Sequence, residues 1–353
     1  MGDKLRAAIL GATGLVGQVF VKLLSEHPLF EISYLAASEK RVGKKYASEV
    51  RWVLGGDVPE QARELVLNSL DPDKIKNANV DVVFSALPSS IAGGIEVELA
   101  KKGLTVVSNA SPLRLEPDVP LVIPEINWEH MKLLEVQRRR RGWSGAIVKN
   151  SNCTTAILVL SLKPLMDLAG LDEVYVASMQ AVSGAGYSGV PSVVIVDNIV
   201  PFIEKEEAKI MSESKKILGK LAGDHVVLAD FKIYATATRV PVIHGHLEVV
   251  YTRLRREVGI EEVVEAWSRF KGLPQEVGAW LAPQQPVIVR REPDRPQPRL
   301  DRDAELGMAV NVGRFEMLES RLLRYVVLGH NLVRGAAGNT ILIAELMARE
   351  GLL

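Results

Sequence analysis

The stretch Ala8-Ile-Leu-Gly11-Ala-Thr-Gly14-Leu-Val-Gly17 joins an apolar strand pattern to a helical pattern near the start of the chain. Its glycines fall where a phosphate-binding βα turn needs them. Gly11 permits the tight turn, Gly14 lets the backbone approach a pyrophosphate, and Gly17 allows the helix to pack closely on the strand. The spacing is GxxGxxG rather than GxGxxG. The motif predicts a dinucleotide site, with a purely structural βα turn as the alternative.

Strand and helix patterns alternate around this motif through the first half of the chain. We predict strands at 5–10, 32–37, 80–86, 105–108 and 145–148, and helices at 15–26, near 91–102 and at 127–141. This alternation is typical of βαβ units around a parallel sheet. The helix at 127–141 ends in the run Arg138–Arg141, which favours a solvated, dipole-compensating helix end over a binding patch.

The pattern changes from about residue 174. Strands predicted at 174–180, 231–242 and 248–254 alternate with long helices, which indicates a mixed or antiparallel sheet. The proline-rich stretch 283–306 predicts an extended surface connection, and 331–353 predicts a helix packed back on the first domain. We therefore expect an α/β protein. A doubly wound, Rossmann-type parallel sheet at 1–152, completed by 331–353, precedes a second α/β domain with a mixed sheet at 153–330.

Composition limits the functional classes. The chain has 353 residues, 47% of them hydrophobic, and a formal net charge of zero, which is typical of a globular protein and gives no reason to expect a nucleic-acid partner. The most apolar stretch, 154–171, is interrupted by Lys163, Pro164 and Asp167, so we predict no membrane span. We see no signal-peptide pattern. A single cysteine fits a reducing compartment, and we expect a cytoplasmic protein.

That cysteine, Cys153, stands in Lys149-Asn-Ser-Asn-Cys-Thr-Thr-Ala156, immediately before an apolar pattern with helical spacing. At a helix N-terminus, free amide groups and the helix dipole favour a thiolate, so a thiol with an ordinary pKa of about 8.5 can become a nucleophile. The alternative is a small buried apolar residue.

The end of the second strand bears on which dinucleotide is bound. An acidic residue there would accept a ribose hydroxyl, whereas basic residues would hold a 2′-phosphate. This chain has Ser38-Glu39-Lys40-Arg41, which offers both. We predict NADP, held by Ser38 with Lys40 or Arg41, and Glu39 leaves NAD as the alternative.

Two further residue pairs each have two interpretations. His244 and His246 could share one side of a strand end and bind a metal, but no Cys, His, Asp or Glu cluster with zinc-like spacing accompanies them, so no metal site is predicted. Glu206 and Lys209 are three residues apart on a predicted helix. They form either an ordinary surface ion pair or part of a binding site.

Six segments together make the chain resemble the aspartate-semialdehyde dehydrogenase family, most closely its archaeal and fungal branch. They are Gly11-Ala-Thr-Gly-Leu-Val-Gly17, Ser108-Asn-Ala-Ser-Pro-Leu-Arg114, Asn150-Ser-Asn-Cys-Thr-Thr155, Gln180-Ala-Val-Ser-Gly-Ala-Gly186, Glu206-Glu-Ala-Lys209 and Arg239-Val-Pro-Val-Ile-His-Gly-His246. The resemblance covers nearly the whole chain. It implies a homodimer or homotetramer that reduces aspartyl phosphate with NADPH in lysine, threonine and methionine biosynthesis.

The resemblance also implies residue roles. Cys153 becomes the nucleophile, His246 the acid/base, and Gln180 helps to position the acyl carbon. Arg114 and Asn152 would contact the phosphoryl group, and Glu206, Lys209 and Arg239 would hold the amino-acid end. The cofactor contacts it implies are Gly11, Thr13, Gly14, Leu15, Val16, Gly17, Ser38, Lys40, Arg41, Ser85, Leu87, Ser183, Gly184 and Asn339.

The chemistry of these residue types agrees with the roles. A thiolate can capture an acyl group as a thioester, which hydride can reduce to an aldehyde. Arg suits carboxylate and phosphate oxygens, and a glutamate suits an ammonium. The alternatives are a related reductase acting on malonyl-CoA or an N-acylglutamyl phosphate, and a dinucleotide-sensing protein without catalysis.

Overall fold

The structure is a computed structural model that describes residues 4–353. Its first sheet is entirely parallel. The strands are β1 (Leu5–Leu10), β2 (Phe30–Ala36), β3 (Leu67–Asn68), β4 (Val82–Ser85), β5 (Thr105–Ser108) and β6 (Ala146–Lys149). Their spatial order is β3-β2-β1-β4-β5-β6, the doubly wound order in which successive strands are added to one side up to β3 and to the other side from β4 on, so that the order reverses between β1 and β4. Ligands of such sheets bind at this switch point, next to the glycine turn.

The second sheet is mixed. Its strands, with a separate hairpin of β8 and β9, are β7 (Leu171–Gln180), β8 (Lys220–Ala222), β9 (His225–Val227), β10 (Lys232–Arg239), β11 (His246–Leu254), β12 (Val287–Val289), β13 (Val310–Glu319) and β14 (Leu322–Gly329). The spatial order is β10-β7-β11-β14-β13-β12. β10 runs parallel to β7, whereas β11 is antiparallel to both β7 and β14.

Helices cover the sheets. They are α1 (Leu15–Glu26), α2 (Tyr46–Glu49), α3 (Glu60–Arg63), α4 (Pro72–Asn77), α5 (Ser89–Lys101), α6 (Pro124–Asn127), α7 (Leu133–Arg141), α8 (Cys153–Ala169), α9 (Ser192–Ile195), α10 (Glu206–Ile217), α11 (Ile260–Arg269), α12 (Leu273–Glu276), α13 (Pro298–Asp301) and α14 (Gly338–Arg349). No helix within residues 4–353 is both long and apolar enough to cross a membrane.

Helix α8 places the only cysteine at the boundary between the two sheets. It starts directly after β6 of the first sheet and packs across the second one. Its buried residues, among them Ile157 and Leu160, share a core with Val250 and Tyr325 of the second sheet. A nucleophile on its first turn is therefore held between the two layers by a rigid element.

Helix α14 returns to the first sheet. Ile341, Leu342 and Leu346 lie in one apolar core with Ile9 of β1 and Phe84 of β4. This confirms the prediction that the last segment packs on the first layer. A π-helical turn, Val333–Ala337, precedes α14 and brings the chain past the start of α8.

The predicted fold class is confirmed, and most predicted elements shift by only a few residues. Three predictions were wrong in detail. The stretch 283–306 is not a plain surface connection, because it contains β12 and α13, and Asp301 is fully buried against Arg290 and Arg295. The segment 127–141 is a 3-10 turn followed by α7, and β10 ends at Arg239 rather than continuing to residue 242.

Candidate active site

A cavity of about 470 Å³ lies where the two sheets meet. Its lining comes from both layers, including Val16 beside the glycine turn and Cys153 at the start of α8. The predicted residues that it gathers are Arg114, Asn152, Cys153, Gln180, Ser183, Gly184, Glu206, Lys209 and Arg239. The fold thus brings together residues that are separated by more than a hundred positions in the sequence.

The nucleophile candidate is positioned by the first turn of α8. Asn152 precedes the helix in an extended conformation, and its side-chain oxygen accepts a hydrogen bond from the Thr155 amide, an ordinary N-cap. The turn before α14 packs directly behind the cysteine. A Cβ on Gly335 would lie 2.6 Å from the Cβ of Cys153, so only glycine fits there. Cys153 itself is half-buried and faces the cavity.

His246 contacts this thiol. Its Nε2 lies 3.2 Å from Sγ of Cys153, and its Nδ1 accepts a hydrogen bond from the Ala181 amide at 3.0 Å. A neutral imidazole carries one proton, and an Nδ1 that accepts a hydrogen bond cannot hold it. The proton is therefore on Nε2, and the ring donates toward the sulfur.

The pKa values of the pair correct one expectation. Burial, with a smaller contribution from the nearby Glu206 carboxylate, raises the pKa of the Cys153 thiol to about 12, against the opposing effects of Arg239, the Thr154 amide and Arg114. Burial and the charge of Arg239 hold the pKa of His246 well below its usual value. In the site without ligands, desolvation outweighs the helix terminus, so the pair is a neutral thiol beside a neutral imidazole.

Glu206 connects the polar side chains around the cysteine. Its Oε1 accepts hydrogen bonds from Asn152 Nδ2 at 2.8 Å, Gln180 Nε2 at 3.1 Å and Thr154 Oγ1 at 3.3 Å. Its Oε2 lies 3.6 Å from the ammonium of Lys209. Because the Glu206 carboxylate is buried, the pair with Lys209 is part of the cavity wall and not the ordinary surface ion pair.

Two buried arginines supply positive charge. Arg239 donates from Nη1 to the Ala181 carbonyl at 2.7 Å, close to the ring of His246. Arg114 donates to the Asn109 and Ser151 carbonyls and to the carboxylate of Glu213. With Lys209, these cations surround a cavity that is also lined by the carboxylates of Glu204 and Glu206. The cavity therefore suits a small molecule that carries both negative and positive groups.

The glycine turn meets the steric requirements of a dinucleotide. Gly11 has φ +80°, and a Cβ on Gly17 would lie 2.1 Å from the Gly11 carbonyl oxygen, so neither position accepts a side chain. Thr13, Gly14 and Leu15 continue this turn into α1 beside Val16. At the end of β2, Arg41 donates to Thr13 Oγ1, while Ser38 and Lys40 are exposed.

Three more residues expected at the cofactor have buried side chains. The Ser85 hydroxyl is fully buried and donates to Glu96 at 2.7 Å. Leu87 belongs to the apolar core beneath β4. Asn339 is buried in α14, where it donates to Asn150 at 2.8 Å. None of the three lines the cavity, and their contact with the cofactor stays a prediction.

The other histidine of the sequence His244-Gly245-His246 does not contact the cysteine. His244 stacks on His330 with ring centroids 5.6 Å apart, and His246 faces the cysteine instead. Among residues 4–353, no group of three or more His, Cys, Asp or Glu side chains is arranged to hold a metal ion.

A buried carboxyl lies beneath the site. Glu248 follows His246 by two residues on β11, so both side chains are on one face of the sheet. Within residues 4–353, neither of its carboxylate oxygens has a hydrogen-bond partner. Burial and the proximity of Glu206 raise the pKa of Glu248 well above its usual value, so this side chain is a neutral carboxylic acid.

Sequence reasoning missed three residues of the site. Glu213 binds Arg114, Asn331 bridges the Gly245 amide and the Ser183 hydroxyl, and Gly335 packs on Cys153. Only Gly335 carried a local signal, as a glycine next to a helical pattern. The other two make contacts across more than eighty residues, which no local pattern reveals.

The same architecture is found in known proteins. Residues 6–134 match the family described as semialdehyde dehydrogenase, NAD binding domain, and residues 162–334 match semialdehyde dehydrogenase, dimerisation domain. An aspartate-semialdehyde dehydrogenase of Archaeoglobus fulgidus is 54% identical over 98% of both chains. The chain belongs to the aspartate-semialdehyde dehydrogenase family.

Other similar proteins show the breadth of its relatives. The crystal structure of aspartate-semialdehyde dehydrogenase with NADP from Candida albicans superimposes with a TM-score of 0.91 at 40% identity, covering 99% of this chain and 100% of that one. A malonyl-CoA reductase (NADP) of Metallosphaera sedula is 39% identical over 99% of both chains. The similar proteins therefore carry two different named activities, aspartate-semialdehyde dehydrogenase and malonyl-CoA reductase.

Proposed function

We propose that this protein is an NADP-dependent aspartate-semialdehyde dehydrogenase, which reversibly reduces L-aspartyl 4-phosphate to L-aspartate 4-semialdehyde and phosphate. The observation that carries the proposal is the 3.2 Å contact between Cys153 Sγ and His246 Nε2, in a cavity that also holds Glu206, Arg114 and Arg239. The relative from Archaeoglobus fulgidus bears this name at 54% identity.

The charges of the cavity match the groups of this substrate. Arg239, with its planar guanidinium, is assigned to the α-carboxylate, and Glu206 with Lys209 completes the amino-acid end. Arg114 and Asn152 are assigned to the phosphoryl group. Gln180 is held by Glu206 and Ser178 next to the nucleophile and is assigned to the acyl carbon. A malonyl group has no amine to pair with Glu206, so this carboxylate favours the amino-acid substrate over malonyl-CoA.

The chemistry runs through Cys153. Its sulfur forms a bond to the acyl carbon while the bond from that carbon to the phosphate oxygen breaks. The thiol proton passes to the departing phosphate, which leaves a thioester and hydrogen phosphate. The Nε2–H of His246 is placed to donate to the substrate oxygen as the thioester is reduced. The same nitrogen takes the proton back when the resulting thiohemiacetal releases the aldehyde and expels the sulfur as a thiolate, which then takes a proton from solvent.

The cofactor would bind at the glycine turn. When bound, reduced NADP supplies the hydride that converts the thioester to the aldehyde oxidation level. Gly11, Gly14 and Gly17 admit the pyrophosphate, and Arg41 with Ser38 and Lys40 is assigned to the 2′-phosphate. If so, Arg41→Ala should lower kcat/KM for NADP about 10-fold or more and leave that for NAD nearly unchanged. An equal loss with both cofactors would contradict the assignment.

One assay separates the candidate substrates. The rate of NADP reduction with aspartate semialdehyde and phosphate is measured beside NADPH oxidation with malonyl-CoA and with N-acetylglutamyl phosphate. We expect the first reaction to be fastest in kcat/KM. Faster turnover of malonyl-CoA would assign the protein to the second activity found among its relatives. Absence of all three activities would favour a dinucleotide-sensing protein.

The two layers are assigned separate tasks in an assembled enzyme. Residues 1–152 with 331–353 hold the cofactor and contribute Arg114 and Asn152 to the phosphoryl site, while 153–330 supply the other catalytic and substrate-binding residues and form the dimer interface. Tyr175, Tyr234 and Tyr251 support this, since they lie side by side on the exposed face of the second sheet. Light scattering should give the mass of two chains, or of four in a tetramer, and a monomer would contradict the proposal. We assign the enzyme to the cytoplasm.

A further inference from the structure

Helix α10 contains a second buried glutamate that has no role in the mechanism described above. Glu213 lies two turns after Glu206, and its side chain is only 3% exposed. One carboxylate oxygen, Oε1, accepts from Arg114 Nη1 at 2.9 Å. The other, Oε2, accepts the backbone amide of Asn152 at 2.6 Å. One side chain thus joins the proposed phosphate-binding cation to the residue that precedes the nucleophile.

We propose that Glu213 is a positioning residue, which sets the phosphate-binding guanidinium and the attacking sulfur at one fixed separation. The inference rests on the proposed function, because it takes Arg114 as the phosphate ligand. An acyl phosphate must be held so that its acyl carbon faces the sulfur while its phosphoryl oxygens face a cation. A small error in that distance lowers the rate steeply.

The contacts around Glu213 favour this role over simple satisfaction of buried donors. The backbone of the Arg114 segment is already held from the same helix, because Lys216 Nζ donates to the carbonyls of Arg114, Glu116 and Val119 at 2.7, 2.7 and 2.8 Å. Loss of the Glu213 carboxylate therefore leaves this loop in place. Nη1 of Arg114 and the Asn152 amide lose their shared acceptor, so the guanidinium is held only through Nη2, by the carbonyls of Asn109 and Ser151.

Two glutamates of helix α10 then organise different parts of the substrate site. Glu206 at its first turn organises Asn152, Gln180 and Lys209, and Glu213 organises Arg114. Both glutamates also contact Asn152, one through the side-chain amide and the other through the backbone amide. The first turn of α8 is thereby clamped from one rigid helix.

The test compares Glu213→Gln with Glu207→Gln. Glu207 is on the same helix and also accepts one backbone amide, that of Ala237, but it touches neither Arg114 nor Asn152. The amide group of Gln can keep one acceptor contact, yet it turns a donor toward the other partner. We expect the KM for phosphate to rise about 10- to 100-fold in Glu213→Gln, the usual scale for a hydrogen bond to a charged group. The KM values for NADP and the semialdehyde should stay within about twofold, as should all constants of Glu207→Gln.

A second readout does not depend on turnover. Phosphate bound at Arg114 should slow the alkylation of Cys153 by iodoacetamide, and the phosphate concentration for half-maximal protection should rise by the same factor in Glu213→Gln.

If wild-type turnover with aspartate semialdehyde is absent but protection behaves as described, the proposed function fails and the role of Glu213 stands. Should Glu213→Gln not fold, Glu213→Asp keeps the charge but is too short to reach both donors, and the same shift is expected. The proposal is overturned if the phosphate concentration for half-maximal protection in the folded Glu213 variant stays within twofold of wild type. It is also overturned if phosphate does not protect Cys153 of the wild type.

Discussion

The two sides of the cleft are built in different ways. The cofactor side is made by backbone from one short segment, in which Gly11 and Gly17 must lack side chains. The substrate side is made by buried side chains, such as Arg114, Glu206 and His246, that come from distant segments and hold one another in place. A backbone site depends on local conformation, whereas a side-chain site depends on the whole fold. The two should therefore fail differently when they are mutated.

The largest effect is expected at the nucleophile. Cys153→Ala should lower kcat on the order of 10⁴-fold or more, the scale seen when a catalytic nucleophile is removed. Binding of NADP, followed by fluorescence titration, should remain within a few-fold of wild type, because the glycine turn is built independently. A variant that keeps more than a few per cent of activity would refute the covalent mechanism.

The histidine pair gives the next largest effect. His246→Asn should lower kcat by about 10²–10⁴-fold, the usual contribution of a general acid–base. His244→Asn is the matched control, because His244 stacks on His330 and does not contact Cys153. Steady-state kinetics of both variants at one pH decide the question. If His244→Asn lost most of its kcat while His246→Asn kept a kcat near that of the wild type, the general acid–base would be His244 instead.

The buried carboxyl beneath the pocket predicts a pH-dependent stability. In the unfolded chain Glu248 ionises above about pH 4.3, but in the folded chain it stays protonated, so unfolding releases a proton. The contribution of Glu248 to the free energy of unfolding should therefore fall by about 1.4 kcal/mol for each pH unit above that value, until the folded pKa is reached.

Glu248→Gln removes this titration. The variant should match the wild type near pH 4 and become progressively more stable than it toward pH 7, as measured by urea unfolding. Glu64→Gln, at an exposed position, provides the control and should show no such trend. A Glu248→Gln difference that is independent of pH would mean that the carboxyl is ionised in the folded protein.

The smallest effects are expected on the cofactor side. Gly17→Ala should lower the unfolding free energy by about 1–3 kcal/mol, since its Cβ would lie 2.1 Å from the Gly11 oxygen and the backbone must shift. Gly14→Ala is milder for the fold, with its Cβ at 3.3 Å from the same oxygen, but the methyl group is added within the turn to which the pyrophosphate is assigned. We expect Gly14→Ala to weaken NADP binding at nearly unchanged Tm. Equal Tm losses in both variants would contradict this distinction.

The same contrast explains what could be predicted from the sequence. The glycine spacing and the strand that precedes it were sufficient to place the cofactor turn, because both are local. The substrate residues could be named only through six separate motifs, and their mutual contacts could not. Nothing around Glu213 in the sequence indicates that its carboxylate reaches Arg114 and Asn152.

Two errors have identifiable physical causes. The thiolate expected from the helix N-terminus is not favoured in the site without ligands, because the sequence shows the helix but not the burial that raises the pKa of Cys153. The prolines in 283–306 predicted an extended surface connection. They did not indicate that Asp301 is buried against two arginines and fixes this stretch beside β13.

Helix α14 has a consequence for how the protein is made. The apolar core around Ile9 and Phe84 also contains Ile341 and Leu346, so the layer that begins the chain is completed by nearly its last residues. During synthesis on the ribosome, the N-terminal strands keep one apolar face exposed until α14 has left the ribosome and can cover it. The second sheet, whose strands are contiguous from β7 to β14, can assemble first. The second sheet then folds before the first one, although it is synthesised later. The uncovered strands of the first sheet are the part of the nascent chain that a chaperone would bind.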